Sequence, residues 1–342
     1  MLAQSVSHGV GWMLRGSDMT LRIAGQNNWA EEDIPRGPEV TGPLSTLRAV
    51  VMLAGSVRSK AFHKHAGRSL LKMPVGGSLT VFDCWREQVS TLAQSIGIED
   101  LPVRVMVNRG SEMRPGTERR GPLKISIEED PSSLRGTAGL LSDIARAYND
   151  QDQLLVVHAG QLLFEPLCDI VKSLANRGGD VALATDQAGV PSGMMLMRCG
   201  ALRSIPAVGF VDLNEQALPD LARDHVVKIA RQGTAASMSI RTLDSYIGAL
   251  RAYHRRAANE QWVPGPYAED WRSTYGIVEP QAQVDSSALV HDSVVLNGGR
   301  VEAGAVLVRS VVCPGGVVRK DQHIIDRVVE PEQVAGQVSA SS

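Results

Sequence analysis

The sequence predicts an α/β protein in which a doubly wound, mostly parallel sheet is followed by a short β-helix. From residue 47 to 256, short apolar runs alternate with helical patterns, which is typical of repeated βα units. From residue 277 to 329, branched aliphatic residues recur at a six-residue period that fits neither a helix nor an alternating strand. An aromatic-rich linker at 257–276 is expected between these two domains.

Composition excludes several classes of protein. The 342 residues include 35 basic and 37 acidic side chains, so the formal net charge of −2 does not indicate a nucleic-acid partner, although local basic patches are compatible with it. No apolar run reaches the roughly 20 residues that a membrane-spanning helix needs, and we expect no membrane partner. The four cysteines lack the spacing of a metal site or a disulfide framework, which favours reduced thiols and a cytoplasmic protein. They are Cys84, Cys168, Cys199 and Cys313.

Both ends of the chain lack a sustained hydrophobic period. Residues 1–46 are interrupted by Gly37-Pro38 and Gly42-Pro43 and show no secretory signal. We expect a poorly ordered extension there, and a start codon assigned too far upstream would explain it equally well. Residues 330–342 are expected to form a flexible tail.

The first predicted strand is the apolar run from Leu47 to Leu53, which leads into the small residues Ala54, Gly55 and Ser56. A continuous apolar run is typical of a parallel strand that is buried on both faces. The loop after it is densely basic and would open at the edge where α/β sheets bind ligands, so it suits phosphate; a solvated basic loop is the alternative. Its basic residues are Arg58, Lys60, His63, Lys64, His65 and Arg68.

The other elements of this domain follow from apolar spacing and from glycine and proline. The strongest strand signal is the run from Leu154 to His158, which is followed by Ala159, Gly160 and Gln161 at the ligand-binding edge. We predict helices at 79–96, 139–148, 165–177 and 243–256, strands at 102–107, 123–127, 154–158, 181–185 and 194–197, and a loop from 109 to 121.

The second domain is predicted from spacing alone. Val278, Val284 and Val290 lie six residues apart, and after an irregular interval Val312 and Val318 restore the period. We interpret these residues as the inward side chains of stacked β-helix coils, with an ordinary run of short strands and turns as the alternative.

Three short motifs lie at strand ends or helix starts in this βα pattern. Gly136-Thr137-Ala138-Gly139-Leu140 begins a helical pattern, Gly160-Gln161 follows the strongest strand, and Ser239-Ile240-Arg241-Thr242 precedes the last helix. These segments resemble GTAGAL, GD and DIGT of the sugar-1-phosphate nucleotidyltransferases, also called sugar-nucleotide pyrophosphorylases. The resemblance spans residues 47 to 329 and implies a Rossmann-like fold with a short left-handed hexapeptide-repeat β-helix.

The resemblance also implies ligands and site residues. Expected ligands are a nucleoside triphosphate or nucleotide sugar and a sugar 1-phosphate, with Mg²⁺ if the protein is an active enzyme. The family's opening signatures LAGGxGTRL and PKPLLPV match Leu53 to Lys60 and Gly67 to Val75, with two of three glycines replaced. They imply catalytic roles for Lys60 and Arg68. The implied nucleotide-binding residues are Gly55, Ser56, Ser59, Gly136, Thr137, Ala138 and Gly139, and the implied sugar-binding residues are Gly193 and Thr242.

The metal positions depart from the family pattern. Gln161 and Ser239 stand where the family has the aspartates of GD and DIGT, and Mg²⁺ prefers carboxylate oxygen. We therefore expect weakened or lost transferase activity with retained nucleotide or sugar-nucleotide binding. The expected protein partner is a second copy of the chain or a catalytic homologue.

Two enzymatic alternatives remain at this point. The first is an active nucleotidyltransferase with substitute carboxylates, for which Asp212 is the best candidate and Asp152, Glu165 and Glu215 are others. The second is a hexapeptide-repeat acyltransferase, for which His291 and His323 occur in the coils.

Overall fold

The computed structural model describes residues 44–55, 61–130, 135–206, 209–233, 236–257 and 275–331. Most of the predicted extension, linker and tail therefore lies outside the described residues, as do Ser56, Ser59 and Lys60. No helix among the described residues combines the length and the apolarity needed to span a membrane.

The described residues of the first domain form twelve strands and seven helices. Its strands are β1 (Leu47–Leu53), β2 (Pro74–Gly76), β3 (Leu79–Thr80), β4 (Leu101–Val107), β5 (Gly116–Arg120), β6 (Leu123–Glu129), β7 (Gln153–His158), β8 (Gln161–Leu163), β9 (Val181–Thr185), β10 (Pro191–Arg198), β11 (Val227–Arg231) and β12 (Ser237–Ser239). Its helices are α1 (Ala61–Ala66), α2 (Val81–Ser95), α3 (Gly136–Ala145), α4 (Leu167–Arg177), α5 (Cys199–Arg203), α6 (Leu218–Asp224) and α7 (Leu243–Ala257), with a 3₁₀ turn at Leu70–Lys72 and a π-helical turn at Leu213–Ala217.

An eight-stranded sheet organises this domain, in the order β11-β9-β10-β7-β1-β4-β6-β5. The central pairs β7-β1, β1-β4 and β4-β6 are parallel, whereas β10 and the edge strand β5 run antiparallel to their neighbours. Alternate residues of β1 enter two cores: Met52 packs on the side of α2 and α4, and Val51 on the side of α3 and α5. Both faces are thus covered by helices, which confirms the doubly wound fold.

The largest difference from the predicted elements is β5, which lies within the predicted loop from 109 to 121. All five of its residues are exposed and none is apolar, so the sequence carries no hydrophobic period there. Pairing with β6 alone defines this strand. Charged residues are typical of edge strands because they discourage further strand addition.

The second domain contains ten short strands in three parallel sheets, ordered β13-β16-β19-β22, β14-β17-β20 and β15-β18-β21. This arrangement confirms the predicted β-helix. The strands are β13 (Gly276–Val278), β14 (Gln283–Val284), β15 (Leu289–His291), β16 (Ser293–Val295), β17 (Arg300–Val301), β18 (Val306–Val308), β19 (Val311–Val312), β20 (Val317–Val318), β21 (His323–Ile325) and β22 (Val328–Val329).

Each coil of the β-helix contains 17 residues. Val284 pairs with Val301 and Val301 with Val318, so equivalent residues differ by 17 in number. The inward residues run 284, 290, 295, 301, 307, 312, 318, 324 and 329, which are steps of six, six and five. A strict six-residue period was therefore wrong for one side of each coil. At that short corner Asp292, Arg309 and Asp326 adopt positive φ of 45°, 46° and 54°.

The two domains share a hydrophobic core. Ile277, Val294 and Val311, from the sheet that contains β13, belong to the same buried cluster as Tyr246 and Leu250 of α7. Polar contacts flank this apolar interface. Arg251 Nε donates to Asp292 Oδ2 at 2.6 Å, Arg68 Nη1 donates to Glu279 Oε1 at 2.7 Å, and the Tyr275 ring stacks on His254 at 5.0 Å.

Candidate functional site

A polar cavity of about 320 Å³ opens at one edge of the main sheet. It lies at the carboxyl ends of β7 and β9 and the amino end of the antiparallel β10, which is the edge where α/β sheets bind ligands. The polar and charged residues that line it are His158, Gln161, Thr185, Asp186, Ser192, Asn214, Gln232, Ser237, Ser239 and Arg241.

The two-stranded antiparallel sheet β8-β12 brings two predicted site residues together. Gln161 and Ser239 are direct register partners in this antiparallel pair, and both line the cavity. The Ile240 N–H also donates to the carbonyl of Gly160 at 3.0 Å. The segments that resemble GD and DIGT are thus adjacent in space although 78 positions separate Gln161 from Ser239 in sequence (239 − 161).

Three buried polar atoms of the cavity wall have no hydrogen-bond partner among the described residues. They are His158 Nδ1, Gln161 Nε2 and Thr185 Oγ1, in side chains that are 8%, 6% and 3% exposed. A buried polar atom without a partner costs roughly 1–3 kcal/mol, so such atoms are normally satisfied by protein, water or ligand. All three belong to one cavity, which therefore presents unused hydrogen-bonding capacity to an occupant.

Arg241 supplies a positive charge to this wall. Within the part of the chain that the structure describes, its only hydrogen bond is made by the backbone N–H, to Ser239 Oγ. Burial lowers the pKa of Arg241 from its ordinary value, but a guanidinium stays charged at any physiological pH. A partly desolvated cation beside unsatisfied donors favours an anionic ligand.

His158 is held neutral beside that cation. Burial, and then the charge of Arg241, lowers its pKa to about 4, while the carboxylate of Asp212 acts in the opposite direction. The ring occupies space that a side chain at Gly193 would fill, because a Cβ there would lie 2.9 Å from His158 Cδ2. Gly193, predicted to contact sugar, thus lines the cavity and also makes room for the imidazole.

The described residues do not fit a magnesium site. No group of three or more His, Cys, Asp or Glu side chains among them could hold a metal ion. Asp186 lines the cavity, but its Oδ1 accepts the N–H of Val190 at 2.8 Å. With neutral side chains at Gln161 and Ser239, Asp186 is the single carboxylate among the described residues that line the cavity, so this wall has no pair of the carboxylates that Mg²⁺ prefers.

Two of the four candidate substitute carboxylates, Asp212 and Asp152, have other contacts. Asp212 Oδ1 accepts the N–H groups of Asn214 and Glu215 at 2.9 Å and caps the π-helical turn. Asp152 pairs with Arg48 at 2.8 Å and precedes the amino end of β7, whereas the cavity lies at the carboxyl end.

The motif from Gly136 to Gly139 forms the first turn of α3 rather than a turn before it, and these residues are buried. Gly136 has φ +69°, and a Cβ there would lie 2.4 Å from the carbonyl oxygen of Val211. The Ala138 N–H donates to that carbonyl at 3.1 Å, and Thr137 Oγ1 accepts the N–H of Leu213 at 3.2 Å. This turn therefore supports the segment that carries Asn214, a residue of the cavity wall.

Gly55 is required by close packing after β1. A Cβ at this position would lie 2.3 Å from the backbone nitrogen of Asn108. Neither residue lines the cavity. Ser56, Ser59 and Lys60 fall outside the described residues, so the structure gives no position for the rest of the predicted phosphate loop.

Two other predicted residues have structural contacts. The side chains of Arg68 and Glu279 are 14% and 12% exposed, so their ion pair at the domain interface is largely removed from water. Thr242 Oγ1 accepts the N–H of Ser245 at 3.2 Å, which caps α7, while the adjacent Arg241 lines the cavity. Neither Arg68 nor Thr242 is part of the cavity lining.

The two histidines considered for acyl transfer are remote from the cavity lining. His291 lies on β15 with its Nε2 3.7 Å from Asp292 Oδ2, and His323 is an exposed residue of β21.

Sequence reasoning missed the residues that give this cavity its chemistry. His158 was recognised only as the end of a strand, and Arg241 only as a member of the segment that resembles DIGT. Two signals were present: His158 is a polar residue at the carboxyl end of the most apolar strand, and Arg241 is a charged residue at a motif position for glycine. Thr185 carries the same signal as His158, since it is the polar last residue of the apolar strand β9. Gln232 carries none, because β11 was not predicted and reaches the cavity by pairing with β9.

Comparisons with known proteins give fold-level likenesses at low identity. No family model and no curated protein matches the sequence. Among solved structures, HddC from Yersinia pseudotuberculosis is 12% identical with a TM-score of 0.45, over 60% of this chain and 100% of that chain. The same protein complexed with GMP-PN is 12% identical with a TM-score of 0.44, over 60% and 100%.

A third solved structure is a protein described as a glucose-1-phosphate thymidylyltransferase from Bacillus anthracis, in complex with a sucrose. It is 10% identical with a TM-score of 0.47, over 64% of this chain and 98% of that chain. Likeness at this level carries no argument about ligands, and the architecture described above rests on the strand order and register of this chain.

Proposed function

We propose that this chain is a relative of the sugar-1-phosphate nucleotidyltransferases that binds a sugar phosphate or nucleotide sugar and has weakened or lost transfer activity. The observation that carries the proposal is the cavity wall, in which Arg241 lies with three buried, unpartnered polar atoms. A guanidinium and several hydrogen-bonding groups are the chemistry that recognises a phosphorylated polyol.

The charge requirement of nucleotidyl transfer explains the proposed loss of catalysis. A sugar phosphate oxygen attacks the α-phosphate of a triphosphate, and the enzyme accelerates this step mainly by positioning and by neutralising charge. In the family, a magnesium ion supplies part of that charge. Because Gln161 and Ser239 are neutral, this chain lacks the two carboxylates that would place such an ion for the transfer reaction.

The sugar phosphate is the part of the ligand that we expect to be bound most tightly. The cavity has the lining suited to it, whereas the turn from Gly136 to Gly139 is covered by Val211 and Leu213. Base binding at Gly136, Thr137, Ala138 and Gly139 requires that segment to move. Pairing with a second copy or with a catalytic homologue is part of the same proposal and would let a noncatalytic chain regulate an active one.

Calorimetric titration tests the binding proposal. Glucose, mannose and N-acetylglucosamine 1-phosphate and the corresponding nucleotide sugars are titrated separately into the purified chain. At least one phosphorylated sugar should bind, and Gln161→Leu should weaken it because the amide in the cavity wall is lost. No heat with any of these ligands would overturn the proposal.

A second measurement tests the loss of catalysis. Pyrophosphate release with the common nucleoside triphosphates, the same sugar phosphates and Mg²⁺ should stay at background. Robust turnover would favour the alternative of an active enzyme, for which the proximity of Asp212 to His158 is the supporting observation. In that case Asp212→Asn should abolish the turnover.

A further inference from the structure

We propose that Arg241 takes the place of a divalent cation in this cavity, so that the phosphate of the sugar phosphate is bound without metal. This inference rests on the proposed function and adds to it that Arg241 supplies the positive charge that balances the phosphate.

The position of Arg241 in the sequence supports this exchange. In the motif Ser239-Ile240-Arg241-Thr242, which resembles DIGT, a neutral serine stands for the aspartate and an arginine stands for the glycine. Within three consecutive residues, the chain therefore differs from the motif by the absence of an anion and the presence of a cation. Gln161, the register partner of Ser239, is neutral as well.

The geometry keeps the guanidinium at the cavity wall. The Ile240 N–H bonds the carbonyl of Gly160 at 3.0 Å, which fixes the backbone just before Arg241. The side chain then passes over Gly160, because a Cβ on that glycine would lie 3.7 Å from both Arg241 Cγ and Nε. The arginine stem therefore lies within van der Waals reach of residue 160, at the cavity wall.

No carboxylate among the described residues neutralises this guanidinium. Arg241 forms no ion pair there, and Asp186, the one carboxylate among the described residues that line the cavity, accepts the N–H of Val190 through Oδ1. The positive charge is thus available to a ligand. In a partly buried site its attraction for a phosphate is much stronger than in water.

The surrounding donors complete a phosphate site. The amide of Gln161 has two N–H donors, and its Nε2 is buried without a partner. The guanidinium adds up to five N–H groups in a planar fork that matches two phosphate oxygens. Thr185 Oγ1 and His158 Nδ1 then remain for the hydroxyl groups of the sugar, since both are unpartnered and line the same cavity.

Calorimetric titration with glucose, mannose and N-acetylglucosamine 1-phosphate, each in EDTA and in Mg²⁺, tests the inference. For the sugar phosphate that binds, the affinities in EDTA and in Mg²⁺ should agree within about twofold. Arg241→Gln should weaken binding at least tenfold, and Arg241→Lys should recover part of that loss because it restores the charge without the planar fork. Inorganic phosphate should compete with the sugar phosphate for the wild-type chain.

Arg223→Gln is the matched control, because Arg223 is exposed, pairs only with Asp220 on its own helix and does not line the cavity. It should bind like the wild-type chain, and a thermal melt of each variant verifies folding. Binding that requires Mg²⁺, or that Arg241→Gln leaves unchanged, would overturn the inference while the proposed function stands. Absence of sugar-phosphate binding under both conditions would also overturn the inference, and absence of nucleotide-sugar binding as well would overturn the proposed function.

Discussion

Gly136 lies with φ +69° against the backbone of Val211, and its missing side chain permits that contact. The glycine of the GTAG motif is therefore explained by packing between α3 and the segment before Asn214. This contact explains the glycine without any role in base recognition.

We predict that Gly136→Ala destabilises the fold far more than Gly97→Ala. The two glycines have nearly equal φ, +69° and +70°, but a Cβ at Gly97 meets nothing within 4 Å. Backbone strain alone should cost about 1–2 kcal/mol at Gly97, and the clash with Val211 should add about 2 kcal/mol at Gly136. Urea denaturation of both variants measures the difference. Equal losses would show that Val211 yields at little cost.

We also predict that His158 contributes a pH dependence to stability. Its pKa is about 4 in the folded chain against 6.5 ordinarily, so the unfolded chain binds more protons between these values. The contribution of His158 to the unfolding free energy is complete above pH 6.5 and is lost as the pH falls toward 4. At pH 5 the loss should be about 2 kcal/mol relative to pH 7.5.

Denaturation of His158→Gln at pH 7.5 and pH 5 checks this contribution. The variant should show a smaller difference in unfolding free energy between the two pH values than the wild-type chain. His323→Gln, which alters an exposed histidine outside the cavity lining, is the control and should keep the wild-type difference. Identical pH dependence in His158→Gln and the wild-type chain would contradict the assignment.

At the scale of the site, the sequence motifs identified the correct edge of the sheet but only some of the residues that line the cavity. Gly193, Gln161 and Ser239 could be identified because each lies in a segment that resembles a motif. The chemistry of the cavity depends instead on which neighbouring groups remain unpaired. That property follows from tertiary contacts around His158, Thr185 and Arg241 and cannot be read from spacing.

At the scale of elements, predictions succeeded where burial imposes a pattern. β1, β7 and α7 were anticipated within a few residues because their apolar positions face a core. β5, β8 and β12 were not, since these strands are short or exposed and are defined by their partners. The β-helix was recognised from its period, and only the five-residue side of each coil was missed.

The β-helix interior predicts a contrast between two leucines of the same sheet. Leu307 is completely buried inside the coil stack, whereas Leu289 is 59% exposed on β15. Leu307→Ala should cost about 3 kcal/mol of unfolding free energy because it leaves a cavity. Leu289→Ala should cost about 0.5 kcal/mol or less. Denaturant titrations compare the two, and similar losses would be inconsistent with this orientation.

At the scale of the whole molecule, the interface joins the two domains through one core and two largely buried ion pairs. The carboxylate of Asp292 is 2% exposed in its pair with Arg251, at a corner with φ +45°. Arg251 lies on α7, which begins at Leu243, two residues after Arg241. The helix that holds the β-helix is therefore next in sequence to a residue of the cavity wall.

We predict that Asp292→Asn weakens the molecule by about 3 kcal/mol, because it removes one partner of a buried ion pair. Asparagine tolerates positive φ, so the loss reports the charge rather than backbone strain. Asp100→Asn is the control: its pair with Arg119 is exposed, at 53% and 69%, and should contribute about 0.5 kcal/mol or less. Calorimetric melting of the full chain measures both. A loss in Asp292→Asn no larger than the control's would contradict the role given to this pair.

The 17-residue coil makes the length of the second domain modular. Deletion of residues 296–312, which is 17 residues, joins Val295 to Cys313 and brings Val318 to the place of Val301 in the stack. A deletion one residue shorter shifts the later inward side chains toward the surface. The first variant should keep a cooperative thermal transition and the second should lose it. Insertions and deletions in this domain are then expected to accumulate in whole coils, independently of changes at the cavity.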